Sequence, residues 1–330
     1  MGRTTKAAIL SVCGIVLLIL GLVGSIAVGW TDMGAVDAVT ALIDSSASQQ
    51  HLIVSTLRLP RALLAAIIGA GLAVAGAIMQ AMTGNPLASP QTFGVNAGAS
   101  LAVVAAIVLL PELPVPYYAL MAFAGAVLGG LAVFAMGSAG GMTPVKLALA
   151  GTAVHLFLSS LTEAFILFHQ HSTDQVLFWL AGSLDGADWS DIRRVLPWAA
   201  AGLLLSFLMA RSISIMKMGE DVARNLGQHV ARVRAMCGLL VIVLAGSGVA
   251  VAGPIGFVGL MVPHLVRYAV GSQTRLYLPL TALAGALLLV LADILSRFIA
   301  YPYESPVGIV TALLGAPFFL YLVSKERRAA

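Results

Sequence analysis

Charged residues are scarce in this chain of 330 residues, because only 10% of them are Asp, Glu, Lys or Arg while 60% are hydrophobic. The mean hydropathy of +0.99 leaves too little polar surface for a water-soluble globule. Cysteine is also rare: Cys13 and Cys237 lie alone in separate apolar runs, which excludes a disulfide framework and a cysteine-based zinc site. Together these scarcities predict an all-α polytopic membrane protein.

Motifs that mark an enzyme are missing as well. The sequence has no Walker-type phosphate loop, no nucleophile elbow and no HExxH. His169 and His171 stand close together, but two histidines without further ligands do not predict a metal site. The pI near 9.3 follows from the basic loops of a membrane protein and gives no support for a nucleic-acid partner. We therefore expect no catalytic residue, no cofactor and no metal, with energy coming from an ion gradient or a separate ATPase.

Ten apolar runs are long enough to cross about 30 Å of hydrocarbon as helices. The eighth is the weakest prediction, because Pro263, His264 and Arg267 lie in it and it could be re-entrant. With ten crossings and both termini in the cytosol, only five of the eighteen Lys and Arg fall outside, in agreement with the positive-inside bias. Residues 1–330 are predicted to form one membrane domain. The spans are Ala7–Gly29, Ala62–Met82, Phe93–Leu110, Tyr117–Met136, Val145–Phe168, Val195–Ala210, Ala235–Gly253, Ile255–Val270, Leu276–Phe298 and Pro306–Val323.

Two segments of the chain resemble each other, since Gly69–Ile78 and Gly246–Ile255 agree at seven of ten positions. Because they run in opposite directions across the membrane, they predict an inverted repeat that relates spans 2–5 to spans 7–10, as in many transporters. Chance recurrence of small residues in membrane helices is the alternative. Glycines spaced four apart on the third and fourth spans predict close backbone packing. These pairs are Gly94 with Gly98 and Gly125 with Gly129.

A polar stripe runs along the fifth predicted span. Thr152, His155, Ser159 and Glu163 are spaced three, four and four residues apart, which places them on one helical face. Polar and ionisable side chains at membrane depth usually point into the bundle or a wet cavity, so the stripe is a candidate lining of a translocation pathway. Hydrogen bonds that only hold helices together are the alternative.

A charged segment, Arg211–Arg234, interrupts the apolar sequence and carries five of the eighteen Lys and Arg. The positive-inside bias assigns such a cluster to the cytosol. Within it, Glu220 and Asp221 follow Gly219 and would stand on the first turn of a helix, and Gly227 can end that helix in a left-handed cap. The pattern predicts a cytosolic helix of about two turns. An ordinary solvated loop is the alternative.

Several motifs in sequence order resemble the permeases of iron-siderophore and vitamin B12 ABC importers, the FecCD-type permeases. The resemblance covers roughly residues 58 to 323. It is carried by Arg58-Leu-Pro-Arg61 leading into Gly69-Ala-Gly, then Gln80–Pro90, Gly253–Arg267, Leu291-Ala-Asp293-Ile and Pro306–Pro317.

This resemblance implies ten helices per subunit and a second permease subunit, identical or related, around a central pathway. It also implies a cytosolic ABC ATPase dimer and an extracytoplasmic substrate-binding protein that delivers the chelate. Five residues of the charged segment match the family's coupling helices, which sit in a groove of the ATPase. These are Gly219, Glu220, Ala223, Leu226 and Gly227.

On the outer side, the resemblance places Arg58, Arg61 and Arg297 where relatives dock the binding protein through arginine–glutamate pairs. Interfacial anchoring is the alternative for the first two. Asp293 stands four residues before Arg297, so the two can neutralise each other. The family's cytosolic gate lies near the start of the fifth span, which makes Thr143 the expected gate residue.

The cargo is the least determined part of the resemblance. Residues 85–99 and 178–183 look closer to ferric-siderophore permeases than to cobalamin permeases. The sequence therefore predicts a permease for a ferric-siderophore in the cell membrane, with haem or cobalamin as alternative cargo. A rival of another class is a secondary transporter driven by an ion gradient, with Glu163 or Asp293 as a proton relay.

Overall fold

The computed structural model describes residues 3–28, 40, 49–114, 116–138, 143–169, 173–271, 276–300 and 303–327. These residues form α-helices joined by short connections, and this part of the chain contains no strand. The all-α fold predicted from the composition is confirmed.

The helices follow one another with few long connections. A π-helical segment, Val54–Arg58, joins α2 to α3, and a 3-10 turn, Pro90–Phe93, precedes α4. The helices are α1 (Arg3–Ala27), α2 (Gln49–Ile53), α3 (Leu59–Thr83), α4 (Val95–Leu109), α5 (Pro116–Ser138), α6 (Pro144–Phe168), α7 (Thr173–Leu180), α8 (Trp189–Leu208), α9 (Ala210–Met216), α10 (Glu220–Asn225), α11 (Val230–Ala252), α12 (Val258–Val270), α13 (Tyr277–Ile299) and α14 (Val307–Arg327).

Each predicted span has a matching helix, although the helices differ in length. Among the described residues, six are long and apolar enough to cross a membrane: α1, the continuous unit from α2 to α3, α5, α6, α11 and α13. A bend of 61° separates α8 from α9, and this pair is a further candidate. The remaining apolar helices, α4, α12 and α14, are shorter. The count of ten crossings stays a prediction.

Helix α3 occupies the centre of the bundle, where it contacts α8, α11, α12 and α13. Its small residues allow this, because a Cβ atom added to Gly69 would overlap the carbonyl oxygen of Gly285 on α13. The predicted glycine pairs also meet each other: a Cβ on Gly98 would overlap the carbonyl of Gly125, so α4 and α5 pack backbone to backbone. Close glycine packing is thus confirmed.

The two similar segments lie on α3 and on α11, which are neighbours in the bundle. Gly248 of α11 faces Ile68 of α3. The inverted repeat itself stays a prediction.

The eighth span differs from the prediction at its start. Helix α12 begins at Val258, three residues later than expected, because the chain turns at Gly253 and again at Phe257, both with positive φ. The ring of Phe257 fits against Gly315 of α14, where a side chain would collide with it.

Candidate functional site

A polar groove runs along the exposed side of α6 and contains the whole predicted stripe. Thr152, His155 and Glu163 are exposed and Ser159 is half-buried. They line a concavity of about 490 Å³, and Gln91, Thr92, Asn96 and Ser100 form its other wall. The structure therefore brings the predicted pathway residues together on one surface.

Asn96 on α4 belongs to the wall of this groove that sequence reasoning missed. The side chain is buried, and its Oδ1 atom has no hydrogen-bond partner in the described part of the chain. An unsatisfied buried amide oxygen is costly unless a further donor reaches it. Its place between Gly94 and Gly98 was a signal of close packing only. Because polar side chains stand on both walls and Glu163 is an exposed carboxyl group, this surface is poorly suited to lipid.

The short helix predicted in the charged segment is α10. Gly219 precedes it with φ +103°, and Gly227 follows it in the left-handed region at φ +78°. The Gly227 N–H donates to the Arg224 carbonyl (2.9 Å) and the Gln228 N–H donates to the Ala223 carbonyl (3.0 Å). These two bonds form a Schellman cap, so the predicted left-handed termination at Gly227 is confirmed.

The side chains of α10 divide between an inner and an outer face. Glu220 bonds Arg224 on its own helix (2.5 Å) and Arg234 on α11 (3.2 Å), and the Arg234 side chain is almost fully buried. Ala223 is completely buried against the chain itself, so its small size serves internal packing here. Leu226 is 61% exposed and, with Met218 and Val222, forms an apolar outer face.

Thr143 begins α6 as its N-cap residue, where its hydroxyl accepts from the Lys146 N–H (3.2 Å). It also lines a cavity of about 760 Å³ together with Glu220, Arg224 and Arg234. The predicted gate residue and the predicted coupling helix therefore border the same space.

A buried ion network occupies the opposite end of the bundle. Asp293, which has no exposed surface, lies between Arg61 (2.8 Å) and Arg297 (2.5 Å). Arg61 also pairs with Glu304, and a carboxylate oxygen of Asp185 lies 3.7 Å from the Arg61 guanidinium. The Asp293–Arg297 pair expected from the i, i+4 spacing is confirmed.

Arg58 and Arg297 bind the end of α1. Arg58 donates to the carbonyl of Ile26 (2.8 Å), and Arg297 donates to those of Ser25 (2.7 Å) and Val28 (2.8 Å). Arginine at a helix C-terminus satisfies carbonyls that lack intrahelical partners. Arg58, Arg61 and Arg297 are only 7–8% exposed, although a crevice of about 320 Å³ opens beside all three. Their role in docking stays a prediction.

A helical membrane bundle with a groove of polar side chains on α6 and a capped helix outside the long apolar helices has the architecture of a membrane transport subunit. The sequence model of the FecCD transport family matches residues 16–325. The chain belongs to this family, and it is a multi-pass membrane permease subunit without a catalytic site of its own.

Relatives and a solved structure agree with this assignment. The chain is 50% identical over 98% of its length to the Fe(3+)-citrate import system permease protein YfmD of Bacillus subtilis, of which it covers 97%. It is 44% identical over 87% of its length to the Fe(3+) dicitrate transport system permease protein FecD of Escherichia coli, of which it covers 90%. A metal-chelate type ABC transporter solved in an inward-facing conformation has a TM-score of 0.82 and 28% identity, with 98% of this chain and 100% of that chain covered.

Proposed function

We propose that this chain is the permease subunit of an ABC importer that moves a ferric-siderophore chelate into the cytoplasm. The observation that carries the proposal is the 50% identity, over nearly the whole chain, to a permease of an Fe(3+)-citrate import system. ATP is hydrolysed on a partner subunit in this proposal, and the chain supplies the route through the membrane.

The assembly that we propose contains two permease subunits, identical or related, a cytosolic ABC ATPase dimer and an extracytoplasmic substrate-binding protein. Residues 1–330 act as one membrane domain in the cell membrane, surrounded by lipid, with both termini in the cytoplasm. This orientation puts Arg211–Arg234 on the cytosolic side, in agreement with the positive-inside bias, and Glu304 on the outer side.

The polar groove on α6 forms half of the translocation pathway in this proposal. A groove with Glu163 and His155 on its surface would be costly against lipid, so a second permease subunit would face it and enclose the pathway. Large chelates need a wide, wet cavity, and the polar residues on both walls can hydrate one.

Cysteine labelling tests the groove directly. In a Cys13→Ser background, where the remaining Cys237 is buried, we expect Thr152→Cys and Ser159→Cys to react with a membrane-impermeant maleimide in the assembled transporter. Phe157→Cys is the control, since Phe157 is exposed on the opposite, apolar face of α6. Equal protection of all three positions would exclude the groove as a water-filled pathway.

Helix α10 is the proposed coupling helix. Leu226 on its outer face would enter the ATPase groove, while Glu220 on its inner face fastens α10 to α11 through Arg234. Gly219 and Gly227 set the helix boundaries, and buried Ala223 seats the helix on the bundle. Motion of the ATPase would then reach α11 and the cavity that Thr143, the proposed gate residue, borders.

Reconstitution tests the function as a whole. With the cognate ATPase and binding protein in vesicles, we expect uptake of a ferric-siderophore that requires ATP and is blocked by vanadate. Uptake by the permease alone, sensitive to an uncoupler, would show gradient-driven transport instead. Competition by haem or cobalamin in the complete system would show that the cargo assignment is wrong while the importer assignment stands.

A further inference from the structure

A cluster of basic side chains, consisting of Lys217, His264 and Arg267, gathers around Tyr277 at one end of the bundle. The Lys217 Nζ atom lies 4.2 Å from the centre of the Tyr277 ring. Arg267 Nη2 lies 3.0 Å from His264 Nδ1. The Tyr277 hydroxyl donates to the Pro263 carbonyl (3.3 Å), which fixes its ring between α12 and α13. The basic cluster is therefore held in place by three different elements.

Lys217 and Arg267 differ from several other cations of the described residues in their acidic partners. Elsewhere, Arg61, Arg194, Arg224, Arg234 and Arg297 each lie within 3.2 Å of a carboxylate oxygen. No such salt bridge joins Lys217 or Arg267 to an acid within the residues that the structure describes. Burial and the nearby Arg267 guanidinium lower the pKa of Lys217 to about 8. Two half-buried cations with no acid beside them among the described residues are costly, and a bound anion would offset that cost.

The surroundings of the basic cluster are those of a membrane interface. Tyr268, next to Arg267, is 84% exposed, and Leu265 and Leu276 also present apolar surface. Tyrosine is enriched where a membrane helix meets the headgroups, and exposed leucine beside it suits acyl chains. A lipid headgroup lies at the level of such interfacial tyrosine and leucine side chains, which favours a lipid anion over an acid of a soluble partner.

We propose that the basic cluster binds the phosphate of an anionic phospholipid of the inner leaflet. The Lys217 ammonium and the Arg267 guanidinium donate to the phosphate oxygens, and the acyl chains lie along Leu265 and Leu276. Basic pockets between membrane helices on the cytoplasmic side are suited to such headgroups. The proposal uses the orientation proposed above and is independent of the cargo and of the ATPase.

Native mass spectrometry of the purified permease, titrated with phosphatidylglycerol, tests the proposal. Each cation near an anionic headgroup strengthens binding about fivefold. The double variant Lys217→Gln with Arg267→Gln should therefore weaken phosphatidylglycerol binding about 25-fold. Phosphatidylcholine binding should change little. The matched control is Arg211→Gln with Arg232→Gln, which removes the same charge from two exposed arginines of the same side. If the double variant does not fold, Lys217→Gln alone should lose about fivefold.

Three results would overturn the proposal. Unchanged phosphatidylglycerol binding in the double variant would exclude these cations. An equal loss in the control would mean unspecific attraction to a basic surface. If inorganic phosphate alone raises the unfolding temperature of the wild-type permease as much as phosphatidylglycerol does, the ligand is a free anion. Because no ATPase or cargo is present, none of these results depends on the importer function.

Discussion

At the end of the bundle that faces outward in the proposed orientation, Arg58, Arg61 and Arg297 are almost fully buried and bind carbonyls and carboxylates of their own chain. At the other end, which faces the cytosol in that orientation, the buried Arg234 holds α10 through Glu220, while outward side chains such as Leu226 remain exposed. The outer charges hold elements together, and the cytosolic end keeps an apolar surface available. The three arginines therefore have partners within their own chain already, and any docking by them stays a prediction.

The largest effect is expected at Asp293, the buried acid that distinguishes the outer end. Asp293→Ala leaves Arg61 and Arg297 without their shared partner, and breaking a buried ion pair costs about 3–5 kcal/mol. Thermal unfolding of the purified permease in detergent measures the loss. Asp185→Ala is the control, because Asp185 is 54% exposed and 3.7 Å from Arg61. Similar losses in both variants would remove the contrast between buried and exposed charge.

The next effect concerns the Glu220–Arg234 ion pair, which joins α10 to α11. Glu220→Arg should reduce coupled transport about tenfold or more, because Arg234 loses its carboxylate and α10 is no longer fastened to α11. ATP hydrolysis by the complex should fall less than uptake. The double variant Glu220→Arg with Arg234→Glu exchanges the two charges, so it should recover part of the uptake that Glu220→Arg loses.

Asp221→Asn is the matched control for that experiment, since Asp221 is the neighbouring acid and is exposed. Transport should stay near wild type in this variant. If the charge exchange rescues nothing while Asp221→Asn is equally damaging, Glu220 acts toward the ATPase and not toward α11.

A smaller effect is expected on the apolar outer face. Leu226→Ala should weaken ATPase binding about tenfold, because burying a leucine side chain contributes about 1.5–3 kcal/mol and part of that contact remains with alanine. Pull-down or light scattering of the permease with its ATPase measures the change. Asn225→Ala, one residue earlier and also exposed, should change little. The same affinity in both variants would exclude Leu226 as an anchor.

The smallest effect tests whether the outer arginines can still dock a partner. Glu304 is partly exposed and pairs with Arg61 in the crevice, so a carboxylate of the binding protein would have to replace it. Glu304→Gln should therefore strengthen docking about two- to fivefold at low salt, with a smaller gain at high salt. The docking affinity is measured by the binding of permease in nanodiscs to surface-immobilised binding protein at both salt concentrations. Weaker docking in Glu304→Gln would show that Glu304 only positions Arg61.

Much of this architecture follows from local sequence pattern. The apolar runs predicted the apolar helices of the described part of the chain, the i, i+4 spacing predicted the Asp293–Arg297 pair, and the glycine spacing predicted that α4 and α5 each pack closely against a neighbour. Gly227 gave the cap of α10. Each of these depends on residues within one or two helical turns, where spacing alone determines which side chains meet.

The sequence by itself determined the membrane class, the apolar helices, the short helix α10, the polar face of α6 and the family motifs, but not the short helices α2, α7 and α9. Only the tertiary structure decided that Arg61 meets Asp293 across 232 positions, that Glu220 turns inward to Arg234, and that Asn96 lies in the groove. The reason is physical, because such contacts depend on how helices pack side by side. A periodic pattern specifies which face of a helix is polar, but not which residue of another helix it touches.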